Sequence, residues 1–115
     1  MKIAVVGSRN IKDELFIYEV LNSYKAKITV LISGGAKGVD TIAENWAKAN
    51  DITIEVHSPD WKKLGKSAGI IRNRLIVNNC QECLAFWDGN SKGTKSTIEM
   101  CKKQNKNVVV IDVVV

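Results

Sequence analysis

Five short apolar runs, separated by four segments of helical period, constrain this chain more than any other feature. Lys2-Ile3-Ala4-Val5-Val6 is stopped by Gly7 and reads as a buried strand. Ile17, Val20, Leu21 and Tyr24 then fall at i, i+3, i+4 and i+7, one face of a helix opened by Asp13 and Glu14. Ile28 to Ile32 is a second strand, closed by Ser33-Gly34-Gly35. Val39, Ile42, Ala43, Trp46 and Ala47 form the cleanest helical stripe. Ile52 to Val56 is a third strand, rich in β-branched residues. After Pro59 a longer connection leads to a helix expected from about Ser67 to Asn79, with Ala68, Ile71 and Leu75 inward. Leu84 to Trp87 is the fourth strand, Thr94 to about Lys103 the fourth helix and Val108 to Val113 the fifth strand.

Strands that are apolar throughout, rather than alternating, belong to a parallel sheet covered on both faces. Right-handed crossovers reduce the topologies to a Rossmann-like, doubly wound α/β fold, a five-stranded parallel sheet of order 3-2-1-4-5 with helices on both faces. The 115 residues fit one domain, 1–115, and the 45% hydrophobic content supports a buried core. One proline and no Ser/Pro-rich tract argue against an internal linker. No apolar run approaches the roughly 18–20 residues of a membrane span. Met1 to Val6 carry no signal-peptide pattern, so a cytoplasmic setting with no membrane contact is expected.

Seventeen Lys+Arg against 12 Asp+Glu give a net charge of +5, which favours anionic partners. The lysines are scattered, the usual look of a solvated surface. Three cysteines are an odd number and too few for a disulfide framework.

Three strands end in a small-residue loop that leads into a helix: Gly7-Ser8-Arg9-Asn10, Ser33-Gly34-Gly35-Ala36-Lys37-Gly38-Val39-Asp40 and Asp88-Gly89-Asn90-Ser91-Lys92-Gly93-Thr94. In the order 3-2-1-4-5 these follow strands 1, 2 and 4, which lie side by side, with their carboxyl ends flanking the switch point where such sheets bind ligands. Helix N-termini there expose unpaired N–H groups, and glycine lets a phosphate approach the backbone. A single such loop is explained by a tight βα turn alone; three converging loops that also carry Ser, Thr, Lys or Arg point to an anion site.

Familiar fingerprints fit poorly. Gly34, Gly35 and Gly38 space as G-G-x-x-G rather than G-x-G-x-x-G. Asp60 to Ser67 resembles a Walker A loop only from Gly65 onward, and Asp60 stands in place of the first glycine; Ser67 reads better as a helix N-cap. His57 is the only histidine, which excludes chemistry built on histidine pairs, and reads as a strand-end polar residue. Cys80-Gln81-Glu82-Cys83 lies at a helix end without the two further ligands that zinc requires, and Cys101 sits on the buried face beside Thr97 and Ile98. No metal and no cofactor are expected.

Gly7-Ser8-Arg9, Ser33-Gly34-Gly35-Ala36-x-Gly38-Val39-Asp40-x-x-Ala43, Trp46-Ala47, Pro59-x-Trp61, Gly65-x-x-Ala68-Gly69-x-x-Arg72-Asn73 and Trp87-x-Gly89-x-Ser91-x-Gly93-Thr94 stand in register with a known pattern. Together they resemble the small stand-alone YspA-type members of the SLOG superfamily, which is named for the Smf/DprA DNA-processing proteins and the LOG phosphoribohydrolases. The resemblance runs from Gly7 to about Ile98. It implies a Rossmann-like domain that binds nucleotides or nucleotide-derived ligands, often as an oligomer.

Carried over by that resemblance, Gly7, Ser8 and Arg9 form one phosphate-facing turn, Ser33, Gly34, Gly35 and Gly38 a second, and Gly89, Ser91, Gly93 and Thr94 a third. Arg9 and Arg72, the latter beside Asn73, each offer a planar fork of donors to a phosphate; Arg72 is alternatively a helix-surface salt-bridge residue. Asp40 is either a ribose-hydroxyl acceptor or a first-turn cap. Trp61 either stacks on a base or packs as a lid against the domain. The LOG hydrolases carry a catalytic glutamate pair two and three residues after the threonine matched by Thr94, where this chain has Ser96 and Thr97; Glu99 lies most of a turn further on.

The expected function is therefore binding of a nucleotide or nucleotide-derived small molecule, as a sensor or sequestering module. A LOG-like nucleoside-monophosphate hydrolase using Asp40, Asp88 or Glu99, and a DprA-like binder of single-stranded nucleic acid, are the alternatives. The apolar run Val108 to Val115, broken only by Asp112, predicts a homo-oligomeric contact at this strand or the helix beside it.

Overall fold

The computed structural model of the chain describes residues 1–114, so Val115, the last residue of that apolar run, lies outside them. The strands are β1 (Lys2–Gly7), β2 (Val30–Ser33), β3 (Thr53–Val56), β4 (Glu82–Trp87) and β5 (Asn107–Asp112). The helices are α1 (Glu14–Tyr24), α2 (Val39–Ala49), the single turn α3 (Trp61–Leu64), α4 (Ala68–Asn79) and α5 (Lys92–Lys103). All strand pairings are parallel, in the order β3-β2-β1-β4-β5. The order reverses at β1, so α1 and α2 cover one face and α4 and α5 the other.

Alternate residues of each strand serve opposite faces, which is why the runs are apolar throughout. Ile3, Val5, Leu31, Leu84 and Phe86 pack with Ile17, Leu21, Val39, Ala43 and Trp46. Ala4, Val6, Ile32, Cys83 and Ala85 pack with Ile76, Val77, Cys80, Ile98 and Cys101. Phe16 of α1 meets Phe86 edge to face, centroids 6.2 Å apart, and the indole N–H of the buried Trp46 donates to Asn22 Oδ1 at 2.8 Å.

Helix starts follow their local chemistry. Asp13 accepts from the Phe16 N–H at 3.1 Å and caps α1. Ser91 caps α5, starting that helix two residues earlier than expected. Ser67, expected to cap α4, makes no side-chain capping bond: a 3₁₀ turn over Gly65–Ser67 runs directly into the helix and leaves its hydroxyl without that task. The stretch resembling Walker A is instead the end of α3 and this turn, and Asp60 caps α3 by accepting from the Lys63 N–H.

The inward face of α4 also differs from expectation. Leu75 is exposed and Ile71 only half-buried, whereas Ala68, Asn73, Ile76 and Val77 point inward. Apolar residues surround this helix, so its period does not single out a face; the rotation that wins places Ile76, Val77 and Cys80 on the sheet and Arg72 and Asn73 at the strand ends. Cys101 is core as expected, and Cys80 and Cys83 are buried and free. His57 follows β3 directly, with Nε2 2.7 Å from Glu55 Oε2. Among the described residues, no helix is long and apolar enough to cross a membrane.

Candidate functional site

The carboxyl ends of β1, β2 and β4 open into a cleft of about 500 Å³, walled by the three loops and by α4. Each loop is tied to its neighbour. After β1, the Ser8 N–H donates to the Phe86 carbonyl at 3.1 Å, and the buried Ser8 Oγ accepts from the Asp88 N–H at 3.3 Å, joining the first loop to the third. The second loop joins the first at Gly38, whose φ is +77°: a Cβ there would lie 2.6 Å from the Arg9 carbonyl oxygen. Gly7 serves the packing of β1 on α2 in the same way, since a Cβ would meet Val39 Cγ2 at 2.5 Å and the Phe86 carbonyl at 2.8 Å.

Arg72 reaches the second loop from α4. Its Nη1 donates to the Gly34 carbonyl oxygen at 2.5 Å and its Nε to Asn73 Oδ1 at 2.8 Å, leaving Nη2 free of these two bonds. A Cβ on Gly34 would fall 2.7 Å from Arg72 Nη1 and 3.0 Å from Asp40 Oδ2, so the missing side chain lets both charged groups close on the loop. Burial lowers the Arg72 pKa from its ordinary value; the Asp40 charge opposes this and the Arg9 charge adds to it. A guanidinium remains protonated regardless.

Asp40, in the first turn of α2, does not cap that helix. It accepts the Ala36 N–H at 3.1 Å through Oδ2 and so fixes the preceding loop. Its Oδ1 is the one buried side-chain polar atom without a partner among the described residues. Burial raises the Asp40 pKa from 3.8 to about 6, against the lowering effects of the Ala36 N–H and Arg72; Glu44 adds to the rise.

The third loop departs most from the expected phosphate cradle. Asp88 Oδ1 accepts the N–H groups of Asn90 and Ser91, each at 2.8 Å, and Ser91 Oγ accepts that of Thr94 at 3.4 Å. Those donors are occupied within the loop. The Asn90 and Ser91 N–H groups also hold the Asp88 pKa below the usual carboxylate value, so this side of the cleft carries a negative charge at neutral pH.

Of the expected site residues, Gly7, Ser8, Arg9, Gly34, Asp40, Arg72, Asn73, Ser91, Gly93 and Thr94 line this cleft. Ser33 does not: it is fully buried behind the loop, donating to Glu44 Oε2 at 2.7 Å and accepting the Gly35 N–H at 3.2 Å. Gly38 acts through its contact with Arg9, and Gly89, with φ +85° and open space beside it, shapes its turn away from the cavity. Gly35 and Trp61 line a second cavity of about 300 Å³, together with Lys37, Pro59 and, from the first, Arg9, Ala36 and Arg72. Trp61 is 54% exposed there, so it does not pack as a closed lid. The two cavities adjoin along Arg9, Ala36 and Arg72.

Asn10, Ala36, Asn90 and Thr97 also line the cleft without having been singled out as ligand contacts, as does Asp88, considered only as an acid/base. The D-G-N-S order after a strand is an Asx-turn signal that would have shown Asp88 bonding its own loop. Thr97 Oγ1 donates to the Gly93 carbonyl at 3.2 Å, and Glu99 is exposed outside the cleft. No group of three or more His, Cys, Asp or Glu side chains is placed to hold a metal among the described residues.

A sequence model of the family described as "YspA, cpYpsA-related SLOG family" matches residues 1–64. The Gene 61 protein of Mycobacterium phage D29 is 32% identical over 117 aligned residues, spanning 94% of both chains. The structure of DNA processing protein A (DprA) from Streptococcus pneumoniae superposes with a TM-score of 0.83 at 23% identity, covering 99% of this chain and 51% of that one. DNA processing protein A from Helicobacter pylori, whose structure is described for its single-stranded DNA binding mode, superposes with a TM-score of 0.77 at 20% identity, covering 96% and 64%. The chain thus spans about half to two-thirds of these two structures, and at such identities the likeness speaks for the fold.

Proposed function

The chain belongs to the YspA, cpYpsA-related SLOG family, and from that premise we propose that its cleft binds a nucleotide or nucleotide-derived small molecule, in a cytoplasmic sensing or sequestering role. The observation that carries this reading is the convergence of Arg9 and Arg72 on one cleft at the ends of adjacent parallel strands, where ligands of such sheets bind. Guanidinium forks suit phosphate oxygens, and the hydroxyl and amide groups of Ser8, Asn73, Ser91 and Thr94 suit a sugar or base. Phosphate sits on the arginine side of the cleft, because Asp88 and the occupied N–H groups disfavour it on the other. Isothermal titration with nucleoside mono-, di- and triphosphates tests this. Dissociation constants in the micromolar range that weaken at least tenfold in Arg9→Ala support it; no heat with any of them at millimolar concentration sinks it.

A second reading, binding of single-stranded nucleic acid, draws on the likeness to the two DNA-processing structures and on the +5 charge. It requires affinity for an oligonucleotide that falls steeply as salt rises. Hydrolysis of nucleoside monophosphates is the weaker alternative, since Ser96 and Thr97 stand where the LOG enzymes carry glutamates and an N-glycosidic bond needs a carboxylate. Release of free base from a nucleoside monophosphate, followed chromatographically, would revive it. We also propose self-association through β5, an edge strand whose Val110 is 37% exposed; a monomeric mass by light scattering at micromolar concentration would refute that.

A further inference from the structure

The two cavities are unlike in chemistry, and their shared wall is more basic than either far end. The larger is lined by hydroxyls and amides and by two carboxyl groups, Asp40 beside Arg72 and Asp88 on the far side. The smaller ends in Pro59 and the half-exposed indole of Trp61. Arg9 and Arg72 belong to both, and Lys37 stands on the smaller side of the same boundary. Positive charge is thus concentrated midway along a continuous groove, with hydroxyl, amide and carboxyl groups on one side of it and aromatic surface on the other.

A nucleotide with a terminal phosphate fills such a groove poorly: with its phosphate at the arginines, one cavity stays empty. Resting on the nucleotide-binding reading above, we infer that the ligand straddles both cavities, an internal phosphate esterified on both sides lying between Arg9 and Arg72, with one nucleoside in the larger cleft and the base of the other against Trp61. The recognised unit is two nucleosides joined through phosphate. The volumes of about 500 and 300 Å³ both lie within the roughly 300–1,000 Å³ of small-molecule sites. Stacking on an exposed indole is a contact that any base can make.

The test compares AMP with the dinucleoside monophosphate ApA by calorimetry on the full chain at fixed ionic strength. AMP carries the greater phosphate charge, so simple attraction to the arginines would favour it. Occupation of both cavities reverses that order, and ApA is expected to bind at least tenfold more tightly. Trp61→Ala, at an exposed position, brings the ratio to about one, and Trp61→Phe restores most of it. Equal or tighter binding of AMP overturns the inference while leaving nucleotide binding intact. A preference for ApA that survives Trp61→Ala also overturns it. Absence of binding by both at millimolar concentration removes the underlying reading with it. A ten-residue oligoadenylate then assigns the source of the unit: affinity per site that keeps rising with length belongs to a single strand, and affinity that levels off at ApA belongs to a free dinucleotide.

Discussion

The guanidinium of Arg72 holds the carbonyl oxygen of Gly34 at 2.5 Å, across 38 residues of sequence. This bond joins α4 to the loop after β2 and orients the arginine along the boundary between the two cavities. The Gly34 site admits it only because no Cβ stands there. One residue type is thus required by another far along the chain, and the pairing is made by the crossover that brings α4 beside β1.

Replacing Arg72 by lysine removes the planar fork while keeping the charge. A lysine cannot hold the Gly34 carbonyl and face a phosphate with a second donor on the same plane. We expect nucleotide affinity to fall at least tenfold and urea stability by about 1.5–3 kcal/mol, the range for a hydrogen bond to a charged group. Unchanged affinity would remove Arg72 from the binding site.

The glycines divide sharply. Gly7→Ala places a methyl against Val39 and the Phe86 carbonyl, and backbone cannot move aside as a side-chain end can; a loss of about 1–3 kcal/mol is expected in urea unfolding. Gly93→Ala, in the first turn of α5 with nothing near its Cβ position, is expected to raise stability by about 0.4–1 kcal/mol. Similar effects of the two would contradict the assignment of Gly7 to packing.

Asp40 makes stability depend on pH in a defined direction. Its folded pKa, about 6, lies above the ordinary 3.8, so between these values the folded state binds more protons than the unfolded one. Its contribution is therefore favourable below the lower value and is lost as pH rises through about 6, by up to about 3 kcal/mol. Asp40→Asn should abolish that component, leaving a flatter stability profile between pH 4 and 7 by urea titration. A wild-type profile without this decline would show that the buried carboxyl is ionised at little cost.

The three thiols should be unreactive in the folded protein. Contact with Cys101 and burial push the Cys80 thiol up. For Cys101, contact with Cys80 lowers the pKa, but contact with Cys83 and burial outweigh it and push the thiol up to about 12. Iodoacetamide at pH 8, followed by mass spectrometry, should label none of the three until denaturant is added. Rapid labelling of Cys80 in buffer alone would mean that α4 opens away from the sheet.

Much of this was readable along the chain. Strand order follows from apolar runs of short length and from the handedness of crossovers, because both are local or generic properties. The three loops at the strand ends, with Arg9 and Asp40 in them, follow from that order; Arg72, on α4, enters only through the family resemblance. The face of α4 was not readable, since Ile70, Ile71, Leu75, Ile76 and Val77 satisfy more than one helical stripe. Nor were the roles of the small residues: Ser33 is turned behind its loop toward Glu44, Gly38 exists for Arg9, and the N–H groups expected to face a phosphate are taken by Asp88. Periodicity reports which side of an element is dry, and it does so from neighbours three or four residues away. Which donors remain free, and which charges share a wall, depends on residues brought together from distant parts of the chain, so only the packed structure decides them.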